Sequence, residues 1–251
     1  MKTRFAWKHS LKFAVATALI IAGFPGTALS APVTVFSTNF DGSLPSEISP
    51  GTATLTPVQG YAGLGPVGNQ FGGNFLRSAT GNVVTLTLSG LPAHDTISLA
   101  FLFAAIDSLD GTGTFPAGDF FKIVFDGTTL FSESFANALP SQIQSYVPPA
   151  GVELARHVDL GFGGPGGYYT DSAYNFGADP RFANFAHTSS SAIIEFFIFG
   201  EGNQSLEDES WAMDNLKVSV TTQAVPEPGT MMLLGSGLLG LVGYGRKRLK
   251  K

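Results

Sequence analysis

The chain has 251 residues and a formal net charge of −5 at pH 7, and it contains no cysteine. The lack of cysteine excludes disulfide bonds, and a chain of this length can bury a sufficient hydrophobic core without them. Its four histidines lack metalloprotease spacing and no nucleophile-elbow sequence is present, which favours a non-enzymatic protein. The 19 acidic residues leave a glycosidase carboxylate pair open as an alternative.

Residues 1–30 have the three parts of a secretory signal peptide. Basic residues come first, an apolar stretch covers residues 13–24, and a small-x-small site ends at Ser30. We therefore predict export through the Sec translocon, with cleavage between Ser30 and Ala31. An uncleaved N-terminal anchor is the alternative.

The predicted ectodomain, residues 31–221, is much more acidic than the whole chain. It holds 18 of the acidic residues and only five basic ones, which gives a formal charge near −13; the basic residues are Arg77, Lys122, Arg156, Arg181 and Lys217. This charge argues against nucleic acid and anionic lipid as partners, because the ectodomain has too few basic residues to neutralise their negative charge or to attract them electrostatically. A cation or a neutral or basic partner is compatible with this charge.

The pattern of the ectodomain is β throughout. Residues 83–89 alternate as a half-buried strand, and residues 96–106 become apolar on both faces, as in a central strand. Residues 120–125 and 128–135 flank Asp126-Gly127, a pair that favours the type I′ turn of a hairpin.

Two further strands are predicted at residues 192–199 and 211–220. The chain contains 22 phenylalanines, 19 of them in the ectodomain, where they supply large apolar side chains for the space between two sheets. Many short strands separated by turns favour an all-β fold with a single jelly-roll-like β-sandwich.

The glycine-rich stretch at residues 161–167 lacks the lysine and the following helix of a phosphate-binding loop, so we interpret it as a surface loop. Tyrosines follow it directly. Aromatic rings on a loop can stack on sugars, whereas tyrosine also fills the rim of a sandwich. Both interpretations stay open for Tyr168, Tyr169 and Tyr174.

The acidic segment that ends in Asp208 and Glu209 is the most informative part of the ectodomain. Asp214 follows at strand parity with Ala212, Leu216, Val218 and Val220, so its carboxylate is predicted to point inward. A buried carboxylate needs a partner, and basic residues are scarce here. A calcium ion with oxygen ligands fits this chemistry.

Residues 209–216, Glu-Ser-Trp-Ala-Met-Asp-Asn-Leu, resemble the closing strand of calcium-bearing jelly-roll domains. Such sites commonly join the first and last strands, so the resemblance implies a pairing of Asp41 with Asp214. The candidate structural calcium ligands are Asp41, Asp119, Asp208, Glu209 and Asp214. Residues 107–113 resemble an acidic calcium loop more loosely. The alternative is that Asp214 and Asn215 only satisfy backbone groups.

Residues 222–251 have the form of a sorting signal in three parts. A proline-rich motif, Val225, Pro226, Glu227 and Pro228, is followed by an uncharged apolar run to residue 245. The run would span roughly 25 Å as a helix, slightly short of the ~30 Å hydrocarbon core, and flanking basic side chains can compensate. The basic residues after it form a membrane stop at Arg246, Lys247 and Arg248, which predicts a transmembrane helix with the ectodomain outside the cytoplasm.

These three parts resemble the PEP-CTERM sorting signal of Gram-negative bacteria. The resemblance implies that an exosortase, a membrane-embedded transpeptidase, recognises Pro226, Glu227 and Pro228 and removes the tail. It also implies transient anchoring in the inner membrane, followed by display on the cell surface or in the extracellular matrix. An ordinary tail anchor is the alternative.

We therefore expect an exported, exosortase-sorted envelope or matrix protein without catalytic activity, associated with exopolysaccharide or biofilm. A calcium-dependent carbohydrate-binding module is the second hypothesis. A secreted polysaccharide hydrolase is the third.

Overall fold

The computed structural model describes residues 31–112, 118–163, 169–200, 204–222 and 230–248. The predicted signal peptide with Ser30, the sorting motif at residues 225–228, and Tyr168 lie outside these residues. The chain divides into two compact units. One covers residues 29–224, and the other contains the C-terminal segment from residue 225.

Two antiparallel sheets form the ectodomain, which confirms the predicted all-β sandwich. In the described residues the larger sheet has eight strands: β1 (Val33–Thr38), β3 (Thr54–Pro57), β4 (Asn74–Ala79), β6 (Thr96–Asp107), β9 (Glu153–Val158), β10 (Asp171–Asn175), β11 (Phe185–Ala186) and β13 (Glu209–Thr221). The smaller sheet has five: β2 (Ile48–Ser49), β5 (Val84–Ser89), β7 (Phe120–Phe125), β8 (Thr128–Ser134) and β12 (Ser191–Phe199). Short 3₁₀ turns lie at Gln59–Tyr61, Phe176–Ala178 and Pro180–Phe182.

Strand β6 is the centre of the larger sheet and pairs with β13 along almost its whole length. Its side chains are buried on both faces from Phe101 onward, as its sequence predicts. One face lies in the aromatic core between the sheets, where Phe103 packs on Phe121 with ring centroids 4.3 Å apart. The opposite face, with Leu102 and Ala104, belongs to a second core that residues 58–75 help to cover.

The predicted hairpin is present as β7 and β8. Asp126 and Gly127 both have positive φ, 46° and 77°, which a type I′ turn requires. Strands β5 and β12 alternate between buried and exposed side chains, as expected for strands whose outer face meets solvent.

A β-bulge in β13 corrects the prediction about Asp214. The register shifts between Asp214 and Lys217, and Asn215 takes a positive φ of 52°. Because the extra residue reverses the alternation, Asp214 shares its face with Ala212 in the second core, whereas Leu216 and the apolar residues after it point between the sheets. Asp214 is buried, but on the opposite face of the larger sheet from the one its parity predicted.

The helix predicted near the C-terminus is α1 (Thr230–Arg248), so it includes Arg246, Lys247 and Arg248. Among the described residues, no helix is both long and apolar enough to cross a membrane.

Candidate metal centre

Three carboxylates converge at the end of the sandwich where β6 ends and β13 begins. We call Asp110, Asp119 and Glu209 the carboxylate triad; one oxygen from each lies within 4.8 Å of the others. Asp119 and Glu209 are among the residues predicted as calcium ligands. Asp110 belongs to the loop at residues 107–113, whose likeness to a calcium loop is only loose.

Antiparallel pairing brings these residues together from separate parts of the chain. Glu209 is the first residue of β13 and lies opposite Asp107, the last residue of β6. Asp110 forms an isolated bridge with Ala136, just beyond the end of β8. Asp119 directly precedes β7, and its side chain accepts a hydrogen bond from the Asp110 N–H at 2.9 Å. Strand ends on both sheets therefore fix the triad.

The triad is largely removed from water. Glu209 is fully buried and Asp119 is 5% exposed, while Asp110 is half-buried. Burial, reinforced by the charges of Asp119 and Asp110, raises the pKa of Glu209 to about 9. Burial also raises the pKa of Asp119 to about 6. The site therefore disfavours the negative charge that its own residues carry in water.

One oxygen of Glu209 has no hydrogen-bond partner among the described residues. Its Oε1 accepts a hydrogen bond from Gln204 Nε2 at 2.8 Å, but Oε2 is buried without a donor. The Asp119 carboxylate contacts Glu209, yet two ionised carboxylates cannot donate to each other. A buried carboxylate oxygen without a partner costs free energy unless a proton or a cation satisfies it.

The nearby arginine is engaged elsewhere. Arg77 donates to the carbonyl of Leu206 at 2.7 Å and to Ser210 Oγ at 2.9 Å. Its remaining ion pair, at 3.5 Å, is with Asp107, whose pKa burial and the charge of Asp171 raise to about 7. These contacts of Arg77 are therefore made to Asp107 and to groups outside the triad.

Asp208 lies next to the triad and lines a cavity of about 410 Å³ together with Asp110 and Tyr169. Its Oδ1 accepts hydrogen bonds from Tyr169 Oη at 2.9 Å and from Ser108 Oγ at 3.1 Å. Of the tyrosines proposed to contact sugar, Tyr169 therefore lies at a cavity. Tyr174 is fully buried in the core between the sheets, so its ring is not on a surface loop.

Asp41 and Asp214 bind neighbouring backbone groups, but among the described residues neither belongs to a cluster of three or more potential metal ligands. Each carboxylate accepts a backbone N–H from the same loop: Asp41 from Asn74 at 2.8 Å and Asp214 from Gly72 at 3.1 Å. Burial, with a smaller contribution from the charge of Asp41, raises the pKa of Asp214 to about 7. This pair holds the loop that covers the second core, and the triad forms without it.

The comparisons with known proteins locate one family motif. Residues 224–248 match the PEP-CTERM protein-sorting motif, which confirms the sorting signal predicted from the sequence. The motif indicates an exported protein that an exosortase processes at the membrane. No curated protein matches the chain.

Solved structures give remote likenesses. A family GH115 4-O-methyl-α-glucuronidase is 10% identical with a TM-score of 0.33, over 82% of this chain and 19% of that one. A family 35 carbohydrate-binding module from Clostridium thermocellum is 14% identical with a TM-score of 0.32, over 75% and 98%. Dimeric latent PorU from Porphyromonas gingivalis is 10% identical with a TM-score of 0.36, over 79% and 14%. This chain thus spans about a fifth of the glucuronidase. These TM-scores support no statement about ligands.

Proposed function

We propose that this is a non-catalytic, exosortase-sorted protein of the cell envelope or extracellular matrix whose β-sandwich binds a structural calcium ion at the carboxylate triad. The observation that carries the calcium site is the buried Glu209 Oε2, which faces two further carboxylates and has no donor among the described residues.

Calcium is the ion that fits the donor set. The triad offers only carboxylate oxygens, which hard cations prefer, whereas zinc and copper sites favour imidazole or thiolate ligands. Calcium also tolerates irregular geometry, while magnesium requires a near-ideal octahedron. The ion would neutralise Asp119 and Glu209 in their ionised forms and would tie the start of β13 to the start of β7.

The burial of Glu209 excludes one carboxylate from the hydrolase alternative. A residue that is fully buried cannot contact a polysaccharide, so Glu209 cannot serve as the acid or nucleophile of a hydrolase. Incubation of the protein with a panel of polysaccharides tests this point. Hydrolysis that is lost on substitution of a single carboxylate would establish the hydrolase alternative instead.

The calcium site is tested by the melting temperature with excess calcium and with excess chelator. We expect calcium to raise the melting temperature of the wild-type protein, because a ligand that binds only the folded state stabilises it. Glu209→Gln should abolish this response. Glu195→Gln, a half-buried acid on the outer face of the smaller sheet, is the matched control and should retain it.

The sorting role is tested in cells that contain an exosortase. Glu227→Ala should prevent removal of the tail, which is read as a shift in mass of the envelope-associated protein. The exposed Glu153 provides a control, since Glu153→Ala should be processed normally. Normal processing of Glu227→Ala would show that the motif is not recognised. Co-purification with exopolysaccharide tests the matrix association.

A further inference from the structure

The cavity next to the triad shares a residue with it. Asp110 is one of the three converging acids and also lines the 410 Å³ cavity. Its carboxylate is held from the cavity side, because Gln142 Nε2 donates to Asp110 Oδ1 at 2.8 Å. Gln142 is itself fixed, since its Oε1 accepts the Leu139 N–H at 2.9 Å. A cation at the triad would therefore lie beside a preformed cavity wall.

The triad alone does not complete the coordination of calcium. Calcium takes six to eight oxygen ligands, and three carboxylates supply at most six oxygens. Three of those oxygens already accept hydrogen bonds, from Gln204, Gln142 and the Asp110 N–H. The half-buried Asp110 is the member that lines the cavity, so further oxygen ligands would reach a bound ion from that side.

The lining of the cavity combines a polar and an apolar side. Carboxylate, amide and hydroxyl groups come from Asp110, Asp208, Gln142 and Tyr169, whereas Leu139 supplies an apolar wall. No lysine or arginine is among the described residues that line it. Free anions are therefore disfavoured, and a neutral ligand with several hydroxyl groups and one apolar face matches the lining.

We propose that this cavity is a calcium-dependent binding site for a single neutral sugar residue. Two adjacent hydroxyl groups of the sugar complete the coordination of the ion, and its apolar ring face packs on Leu139. A further hydroxyl donates to the carboxylate of Asp208, which Tyr169 and Ser108 hold in place. The volume lies near the small end of the ~300–1,000 Å³ typical of ligand pockets, which suits one residue rather than a long chain. This inference rests on the proposed calcium site.

The test uses the full chain with Trp7→Phe, which leaves Trp211 as its one tryptophan. Trp211 is two residues from Glu209 on the same face of β13, and its ring lies 5.2 Å from Phe121, two residues from Asp119. Its fluorescence therefore reports on the triad. Calcium is titrated first, and the loaded protein is then titrated calorimetrically with the methyl glycosides of glucose, mannose, galactose and xylose, and with glucuronate.

We expect at least one neutral glycoside to bind, with at least tenfold loss of affinity in chelator. Leu139→Glu should abolish sugar binding and leave the calcium response intact. Ile143→Glu, at an apolar position that is 68% exposed outside the cavity lining, is the control and should change neither.

Calcium binding without any glycoside binding would overturn this inference and leave the proposed calcium site standing. Absence of the calcium response would overturn both. Glucuronate binding tighter than every neutral glycoside would overturn the assignment to neutral sugars, and binding that is unchanged in chelator would overturn the role of the ion.

Discussion

A cluster of titratable side chains lies near each end of β6, and the two clusters differ in whether their polar atoms have hydrogen-bond partners within the chain. Beyond the start of the strand, His187 Nδ1 lies 2.6 Å from His94 Nε2, and His187 Nε2 lies 3.2 Å from an oxygen of Asp126. The remaining nitrogen of His94 lies 2.6 Å from the carbonyl of Pro92. We call these three side chains the histidine cluster. Every imidazole nitrogen in it has a partner within the chain.

The carboxylate triad at the other end is not satisfied in this way, because Glu209 Oε2 has no hydrogen-bond donor among the described residues. A strand of 12 residues separates the two clusters by roughly 36 Å, so substitutions in one should not affect the other. The difference shows that a group of buried polar residues suggests a ligand only when its own hydrogen bonds do not satisfy it. The histidine cluster is explained by structure alone, whereas the triad requires a cation or protons.

The largest expected effect is the loss of the calcium response in Glu209→Gln. Burial raises the pKa of Glu209 to about 9, so without calcium this side chain is neutral at pH 7, and a neutral glutamine of similar size should leave the stability close to that of the wild type. Calcium should then add nothing to its free energy of unfolding. Chemical denaturation with and without calcium measures both quantities. A variant that still gains stability from calcium would remove Glu209 from the site.

The bulge that separates the two faces of β13 is tested by Asn215→Val. A β-branched residue at a φ of 52° should lower the free energy of unfolding by about 1–2 kcal/mol, because the left-handed conformation is strained for such a side chain. Asn215→Gly is the matched control: it also loses the hydrogen bond from Asn215 Nδ2 to the Gln70 carbonyl at 2.8 Å, but glycine adopts a positive φ without strain, so it should be the more stable of the two variants. Equal stability of the Val and Gly variants would argue against the bulge.

The histidine cluster provides the comparison variant. His187→Ala removes the hydrogen bonds to His94 and Asp126 and should cost about 1–3 kcal/mol in the free energy of unfolding. The calcium-induced rise in melting temperature should equal that of the wild type. A weaker calcium response in this variant would show that the two ends of β6 are coupled.

The last prediction concerns Asp214 and the pH dependence of stability. Its pKa is raised from 3.8 to about 7 in the folded protein, so the folded state holds a proton that the unfolded state releases. The resulting stabilisation is present below pH 4 and is lost as the pH rises towards 7. Asp214→Asn should therefore flatten the decline of stability between pH 4 and pH 7, measured by urea denaturation, without changing calcium affinity. Weaker calcium binding by this variant would indicate that Asp214 is a calcium ligand.

Much of the sandwich could be predicted from the sequence because alternation and turn residues are local signals. The hairpin around Asp126-Gly127 and the two-sided burial of β6 follow directly from them. Asp119 is recognisable as a candidate because it directly precedes a predicted strand. Glu209 is recognisable because it belongs to a run of adjacent acids in a region where basic partners are scarce.

The remaining features depend on long-range pairing. Asp110 joins the triad through its bridge to Ala136, and no local pattern reveals that contact. The bulge at Asn215 moves every later side chain of β13 to the other face. Asp214 therefore lies on the opposite face from Leu216 and the apolar residues after it. Tyr174 follows a glycine-rich loop in sequence, but β10 carries it into the core.

The most direct test of the central claim is a calorimetric titration of the full chain with calcium, beside the Glu209→Gln variant. We expect one calcium ion per chain for the wild type and no measurable binding for the variant. No binding by the wild type, or the same binding by both proteins, would contradict it.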